Sequence, residues 1–344
     1  MQRDTRLILN DSELIEIRDK HLRRLQALYN GDELDSVFIL RGVMAFTIQH
    51  LHDSEKWLSQ SLDWLAEKSS LSKDLKIFQP LSINFDPWGV HFIDKIFDAD
   101  VFDLNESWQV HPFTKPVGEL FIPDLDRSEP WQLNRQFAEK YLNSEVRLPL
   151  FGQPTLSSVL NIGVNLYGQE LLVAMITDPS AVHHDFRIIN DVICRLHEWY
   201  LQNMPADQRQ CILPDSRCQP PGYGQLCGCT SQLISEELYR EFVAPYDEKN
   251  LSTYPNGGMI HLCGSHTHLI PVWREMKSLR AIQINDQAAE DLEIYFNELR
   301  NDQVIYVLPC PGMTVERIMK ITKGNRIVIT PGWDFEYDDR LFLR

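Results

Sequence analysis

The chain is short of positive charge: 33 Lys and Arg stand against 49 Asp and Glu, a formal net charge of −16. That balance argues against sequence-independent binding to nucleic acid or to an anionic membrane, since both need a positive face. No basic stripe with interleaved aromatics compensates. No run approaches 18 consecutive apolar residues, so nothing in the sequence reads as a membrane span. The seven cysteines, an odd number at irregular spacing, do not read as a disulfide framework. Met1-Gln2-Arg3-Asp4-Thr5-Arg6 leads into a charged helix and not into an apolar signal core. These absences together predict a cytoplasmic protein with reduced thiols. Short-period repeats, low-complexity linkers and a glycine-rich phosphate turn after the first strand are also missing.

What remains is ordinary globular composition, 43% hydrophobic over 344 residues, enough for two average domains or one large barrel. Short apolar runs recur, most of them followed by a longer helical stretch. Strands are expected at 37–40, 81–85, 147–151, 210–213, 258–262, 280–284, 304–308 and 326–329. The third competes with the nearby run 119–122. Helices are expected at 12–29 (Asp11 or Ser12 as N-cap, Gly31 as the stop), 44–73, 168–175, 179–202, 235–249, 267–277, 288–299 and 314–322. Eight such runs predict an α/β fold, a single (β/α)8 TIM barrel with an N-terminal helical extension. The helical lead-in would span 1–35, the barrel 36–332 and a tail 333–344. A doubly wound open sheet is the runner-up. The tail leaves little room for an eighth helix, so the N-terminal helix or a second subunit of a homodimer is expected to cover the last strand.

Barrel chemistry gathers at the C-terminal strand ends. There the sequence offers Arg41, Asp86, Gln153, Asp215, His261 with Cys263, Asn285 with Asp286, Cys310, and Trp333 with Asp334. His261-Leu262-Cys263-Gly264 is the most informative stretch. Its His and Cys share one side of a strand, and imidazole nitrogen and thiolate sulfur are the ligands zinc prefers. Cys310, at the end of the run 304–308, is the candidate third ligand. Such a metal would hold a bound thiol as thiolate, ready to accept an alkyl group. The competing readings are a catalytic Cys–His couple, or a hydrogen-bonded His beside a small buried Cys. Asp86, Asp215 and Asp286 are equally candidates for function and for turn or cap roles. Cys227-Gly228-Cys229 reads as a flexible loop pair, a second metal clamp or a redox pair. Cys194 reads as core, Cys211 as a strand residue and Cys218 as a loop residue. His266 and His268 read as helix-cap or outward-facing residues, and His183-His184 as solvated.

Several segments resemble the uroporphyrinogen decarboxylase superfamily over most of the chain. They are Arg24-Leu25-Gln26-Ala27-Leu28 with Gly31-Asp32-Glu33-Leu34-Asp35, Trp88-Gly89-Val90-His91-Phe92, Gly168-Gln169-Glu170-Leu171-Leu172 with Asp178-Pro179, and above all Tyr239-Arg240-Glu241-Phe242-Val243-Ala244-Pro245-Tyr246. His261-x-Cys263-Gly264 resembles the zinc motif of that superfamily's cobamide-dependent methyltransferase branch. The resemblance implies a zinc-dependent methyltransferase moving a methyl group between a corrinoid, usually on a partner protein, and a small-molecule thiol acceptor. It implies His261, Cys263 and a downstream Cys as ligands. Cys310 is nearer than that pattern has it and lies on the seventh strand, so Cys229 or Asp286 stands as a substitute. Arg41 would anchor an anionic end of the substrate, with Asp86 or Asp286 orienting ligands. The decarboxylase branch would carry two arginines after the first strand; only Arg41 is present. The alternatives are a metal-free lyase relying on Arg41 and the aspartates, and a tetrapyrrole or corrinoid binder without turnover. The chain has no Asp-x-His-x-x-Gly cobalamin signature.

Overall fold

The apolar runs become parallel strands, but the chain also forms strands that those runs did not announce. A computed structural model describes residues 3–45, 53–105, 107–210 and 217–342. In chain order the strands among them are β1 (Phe38–Leu40), β2 (Val43–Ala45), β3 (Ile77–Phe78), β4 (Leu81–Ile83), β5 (Asp100–Leu104), β6 (Ser107–His111) and β7 (Leu150–Gly152). They continue as β8 (Arg209–Gln210), β9 (Gly224–Cys227), β10 (Gly258–Leu262), β11 (Leu279–Ile284), β12 (Val304–Val307) and β13 (Ile327–Ile329). Seven form a parallel sheet in the order β3-β1-β13-β12-β11-β10-β9, and four a second parallel sheet in the order β2-β4-β7-β8. β5 and β6 make a separate antiparallel hairpin.

The structure corrects the sequence reading at several places. The expected strands at 37–40 and 81–85 are present as β1 and β4, but each is joined across Arg41-Gly42 or Gln79-Pro80 to an unexpected short strand, β2 or β3, so that each joined pair contributes to both sheets. The expected helix from 44 instead opens as β2. Helix begins at Ser54, where the Asp53 side chain accepts from the Lys56 backbone N–H. Residues 119–122 form no strand, and Leu150–Gly152 takes the third position. Of the fourth expected strand only Gln210 is described; 211–213 lie outside the described residues, as do Cys211 and Asp215. Asp11 does cap the first long helix, Ser12–Asn30, and Gly31 ends it in the left-handed region (φ 85°), as only glycine does freely.

Strand alternation sorts the side chains into two cores. Phe38, Leu40, Phe78, Leu150, Met259, Ala281, Val304, Tyr306 and Val328 pack together with Leu22, Leu25, Leu28 and Tyr29 of the N-terminal helix. Their neighbours of opposite parity, such as Ile39, Ile77, Ile260, Ile282, Ile305 and Ile327, join the larger core beneath the outer helices. The N-terminal helix thus seals the starting ends of the strands on the inner side. Buried Arg18 fastens it there, donating to the Arg147 carbonyl at 2.5 Å and the Leu148 carbonyl at 3.1 Å.

One seam links the two sheets. Ser157, five residues beyond β7, bridges Cys227 of β9 in parallel. Cys227 N–H donates to the Leu156 carbonyl (3.3 Å), and Ser158 N–H to the Cys227 carbonyl (2.9 Å). No single helix among the described residues is long and apolar enough to cross a membrane.

Candidate metal centre

Register builds the site. β10 pairs His261 with Cys227 of β9 on one side and with Gln283 of β11 on the other. Cys227, His261 and Gln283 therefore form one row of equal parity, two residues beyond the row containing Met259 and Ala281 that packs in the inner core. The next row up carries Cys229, Cys263 and Asn285. Gly228 makes the step between the two cysteines possible: its N–H donates to the His261 carbonyl at 2.9 Å. A Cβ there would stand 2.7 Å from Ile260 Cγ2, tighter than side chains tolerate.

The result is a cluster of three donors, with a fourth, Cys263, packed against two of them. The ligand atoms of Cys227, Cys229 and His261 lie within 4.8 Å of one another. Cys229 Sγ is 3.6 Å from Cys227 Sγ and 3.2 Å from Cys263 Sγ, and Cys263 Sγ is 3.1 Å from His261 Nε2. Buried Gln283 accepts a hydrogen bond from His261 Nδ1 and donates in turn to Asn285 Oδ1. With its proton on Nδ1, the imidazole presents the Nε2 lone pair to the sulfurs, the outer-shell arrangement that orients ligating histidines. Electrostatics fit the same picture. Hydrogen bonding from Cys229 pulls both Cys227 and Cys263 below the ordinary thiol range, with the positive charge of Arg217 assisting. Cys229, holding the proton between two sulfurs, is pushed up.

These donors suit a thiophilic ion. Metal–ligand bonds of about 2.0–2.3 Å in a tetrahedron imply donor–donor edges of roughly 3.3–3.8 Å, and three edges here measure 3.1–3.6 Å. Buried His266 braces the loops. Its Nδ1 lies 2.6 Å from the Gly264 carbonyl oxygen and its Nε2 3.2 Å from that of Cys229, while the Tyr295 hydroxyl accepts from its backbone N–H at 2.9 Å. His266 does stand at the N-cap position of the helical turn Thr267–Leu269, though its side chain makes no cap hydrogen bond; the expectation that it faces outward is replaced by burial.

The donors open into a cavity of about 420 Å³, which Asn84, Asp86, Thr155, Asn161, Asn165 and Arg217 also line. Asp86 is the sequence-expected carboxylate present there. Its Oδ2 accepts from Thr155 N–H (3.1 Å) and Thr155 Oγ1–H (2.9 Å), and burial lifts its pKa to about 7. Other expected residues lie elsewhere. Pro309 ends β12, and Cys310 turns back onto Met313 to line a different, larger groove with Asp334. Cys310 is not in the donor knot. Asp286 opens the helix Asp286–Glu290 with φ 48° and is absent from the cavity lining. Arg41 lies 4.8 Å from the Trp333 ring centroid and donates to Gln79 Oε1 at 3.3 Å, away from that lining. Gln153 joins His197 and Tyr254 in a buried network.

Cys227, Gln283, Asn84 and Arg217 had not been singled out as strand-tip residues. The available signal was parity: Gln283 follows Ala281 and Ile282 two places before Asn285, and Cys227 closes the short run Gly224-Gln225-Leu226, which β9 turns into a strand. No family model matches the sequence, and no curated protein does. Among solved structures, a methyltransferase from Methanosarcina mazei has a similar fold: TM-score 0.64 over 91% of this chain and 92% of that one, at 10% sequence identity.

Proposed function

We propose that this chain is a zinc-dependent methyltransferase, acting on a small thiol with a corrinoid or other methylated donor, the corrinoid carried by a partner protein. The observation that carries the reading is the meeting of three cysteine sulfurs and a tautomer-fixed His261 Nε2 at the end of adjacent strands. The similar fold of the Methanosarcina mazei methyltransferase supports it. We place the centre in a closed barrel of eight strands, with β1–β2, β3–β4 and β8–β9 each counted once and β9 joined to the chain after β7. The Ser157–Cys227 bridge and its flanking hydrogen bonds support that closure.

Zinc bound by these donors would lower the pKa of an incoming thiol and hold it as a nucleophile. The remaining work belongs to the chain. Three of the four donors, His261 with two of Cys227, Cys229 and Cys263, would hold the ion and leave its fourth position to the incoming thiol, and Gln283 keeps the His261 proton on Nδ1. Arg217 and Asn161, whose Nδ2 lies 3.8 Å from Cys227 Sγ, offset the sulfur charge. The cavity volume of about 420 Å³ lies at the low end of small-ligand sites, roughly 300–1,000 Å³. It suits a small thiol better than an entire tetrapyrrole. The test is methyl transfer from free methylcobalamin to small thiols, followed by the corrinoid absorption change. Turnover that needs zinc and disappears in Cys263→Ser supports the reading. No transfer by zinc-loaded protein to any thiol overturns it.

A further inference from the structure

Asn84 and Asp86 follow β4 two residues apart, so alternation places them on the same side, and both line the cavity. Both are deeply buried, 2% and 7% exposed. Each ends in an oxygen, Asn84 Oδ1 and Asp86 Oδ1, with no hydrogen-bond partner among the described residues. Buried acceptors are almost always paired, and leaving one bare costs about 1–3 kcal/mol. Two bare acceptors beside a ligand-sized space call for a donor. The cavity's surroundings give that donor a sign. Asp86 is a carboxyl group whose hydrogen bonds among the described residues come from Thr155. The charged side chain shared with it, Arg217, exerts its positive charge on the sulfurs of Cys227 and Cys263.

From this we infer that the thiol accepted at the metal centre is an aminothiol, its protonated amine held by Asp86 with Asn84 as second acceptor. The inference rests on the methyltransferase reading and names its acceptor class. The sulfur end goes to the Cys–His knot and the ammonium to the far wall of the same cavity. An anionic thiol would bring a second acceptor group against two bare acceptors.

Three thiols of similar size separate the possibilities: cysteamine, 2-mercaptoethanol and mercaptoacetate. Each is titrated into cobalt(II)-loaded protein, and its dissociation constant is read from the change in the cobalt–thiolate absorption. Cysteamine is expected to bind about tenfold or more tighter than either other thiol, as a charge-assisted hydrogen bond implies. Asp86→Asn, which keeps the shape and an oxygen for Thr155, is expected to abolish that preference while retaining cobalt. Asn84→Leu is expected to reduce it. Mercaptoacetate binding as tightly as cysteamine, or an unchanged preference in Asp86→Asn, overturns the inference and leaves the metal reading standing. Absence of cobalt–thiolate absorption before any thiol is added overturns both.

Discussion

Gln283→Leu isolates the part of the site that can be changed without touching a donor atom. Gln283 is fully buried, accepts from His261 Nδ1 and passes the interaction on to Asn285. Leucine fills nearly the same volume but offers no acceptor. The buried His261 Nδ1–H then lacks a partner, at a cost of about 1–3 kcal/mol. The ring relieves that cost by moving its proton to Nε2, which faces Cys263 Sγ at 3.1 Å. A metal must displace that proton before it binds. Losing such an outer-shell partner weakens metal affinity about 10–100-fold, equivalent to about 1.4–2.7 kcal/mol. Competition against a chromophoric chelator measures it directly, with circular dichroism confirming that the variant is folded. Gln283→Glu retains the acceptor and should hold metal at least as well as the wild type. Unchanged affinity in Gln283→Leu would refute the assignment of His261 Nε2 as a ligand atom.

Three further outcomes are expected. Gly228→Ala drives a methyl group to within 2.7 Å of Ile260 Cγ2 and should cost about 1–3 kcal/mol in urea unfolding, with weaker metal binding because Cys227 and Cys229 are pushed apart. Cys229→Ser should release metal while Cys310→Ser retains it, as metal analysis after dialysis reports; the reverse would return Cys310 to the ligand set. Burial also raises Asp247 to about 7, despite its hydrogen bonds with Ser158 and Tyr239. The folded state therefore binds that proton more tightly than the unfolded chain does. Its contribution to stability is full below pH about 4 and is lost as pH rises through about 7, by at most about 4 kcal/mol. Asp247→Asn should flatten the fall in stability between pH 5 and pH 8, and an identical pH profile would show that the carboxyl group is not buried protonated.

The strands with strong apolar runs, β10 to β13, were legible in the sequence because both neighbours of each are covered, leaving continuous Ile and Val. His261 with Cys263 was legible for the same reason: it ends such a run. The rest of the site was not. β9 is four residues long and opens with a glycine whose Cβ would strike Tyr254, so it carries almost no apolar signal. Cys227 and Cys229 consequently read as a loop pair. Nothing along the chain announces that β9 lies beside β10; the pairing of Cys227 with His261 is a matter of register across the sheet. Cys310 failed for a complementary reason. Pro309 stops β12 at Val307, so a residue that looks like a strand tip is spent on a turn. The break after β1 at Arg41-Gly42 likewise sends Arg41 toward Gln79 and Trp333.

The most direct test of the account is sulfur coordination in protein purified without chelators or an affinity metal. Elemental analysis paired with zinc-edge X-ray absorption should give one zinc per chain in a sulfur-rich shell that includes one imidazole, lost in Cys263→Ser and kept in Cys310→Ser. Absence of metal from the wild type, with reconstitution failing as well, or a shell without sulfur, would contradict it.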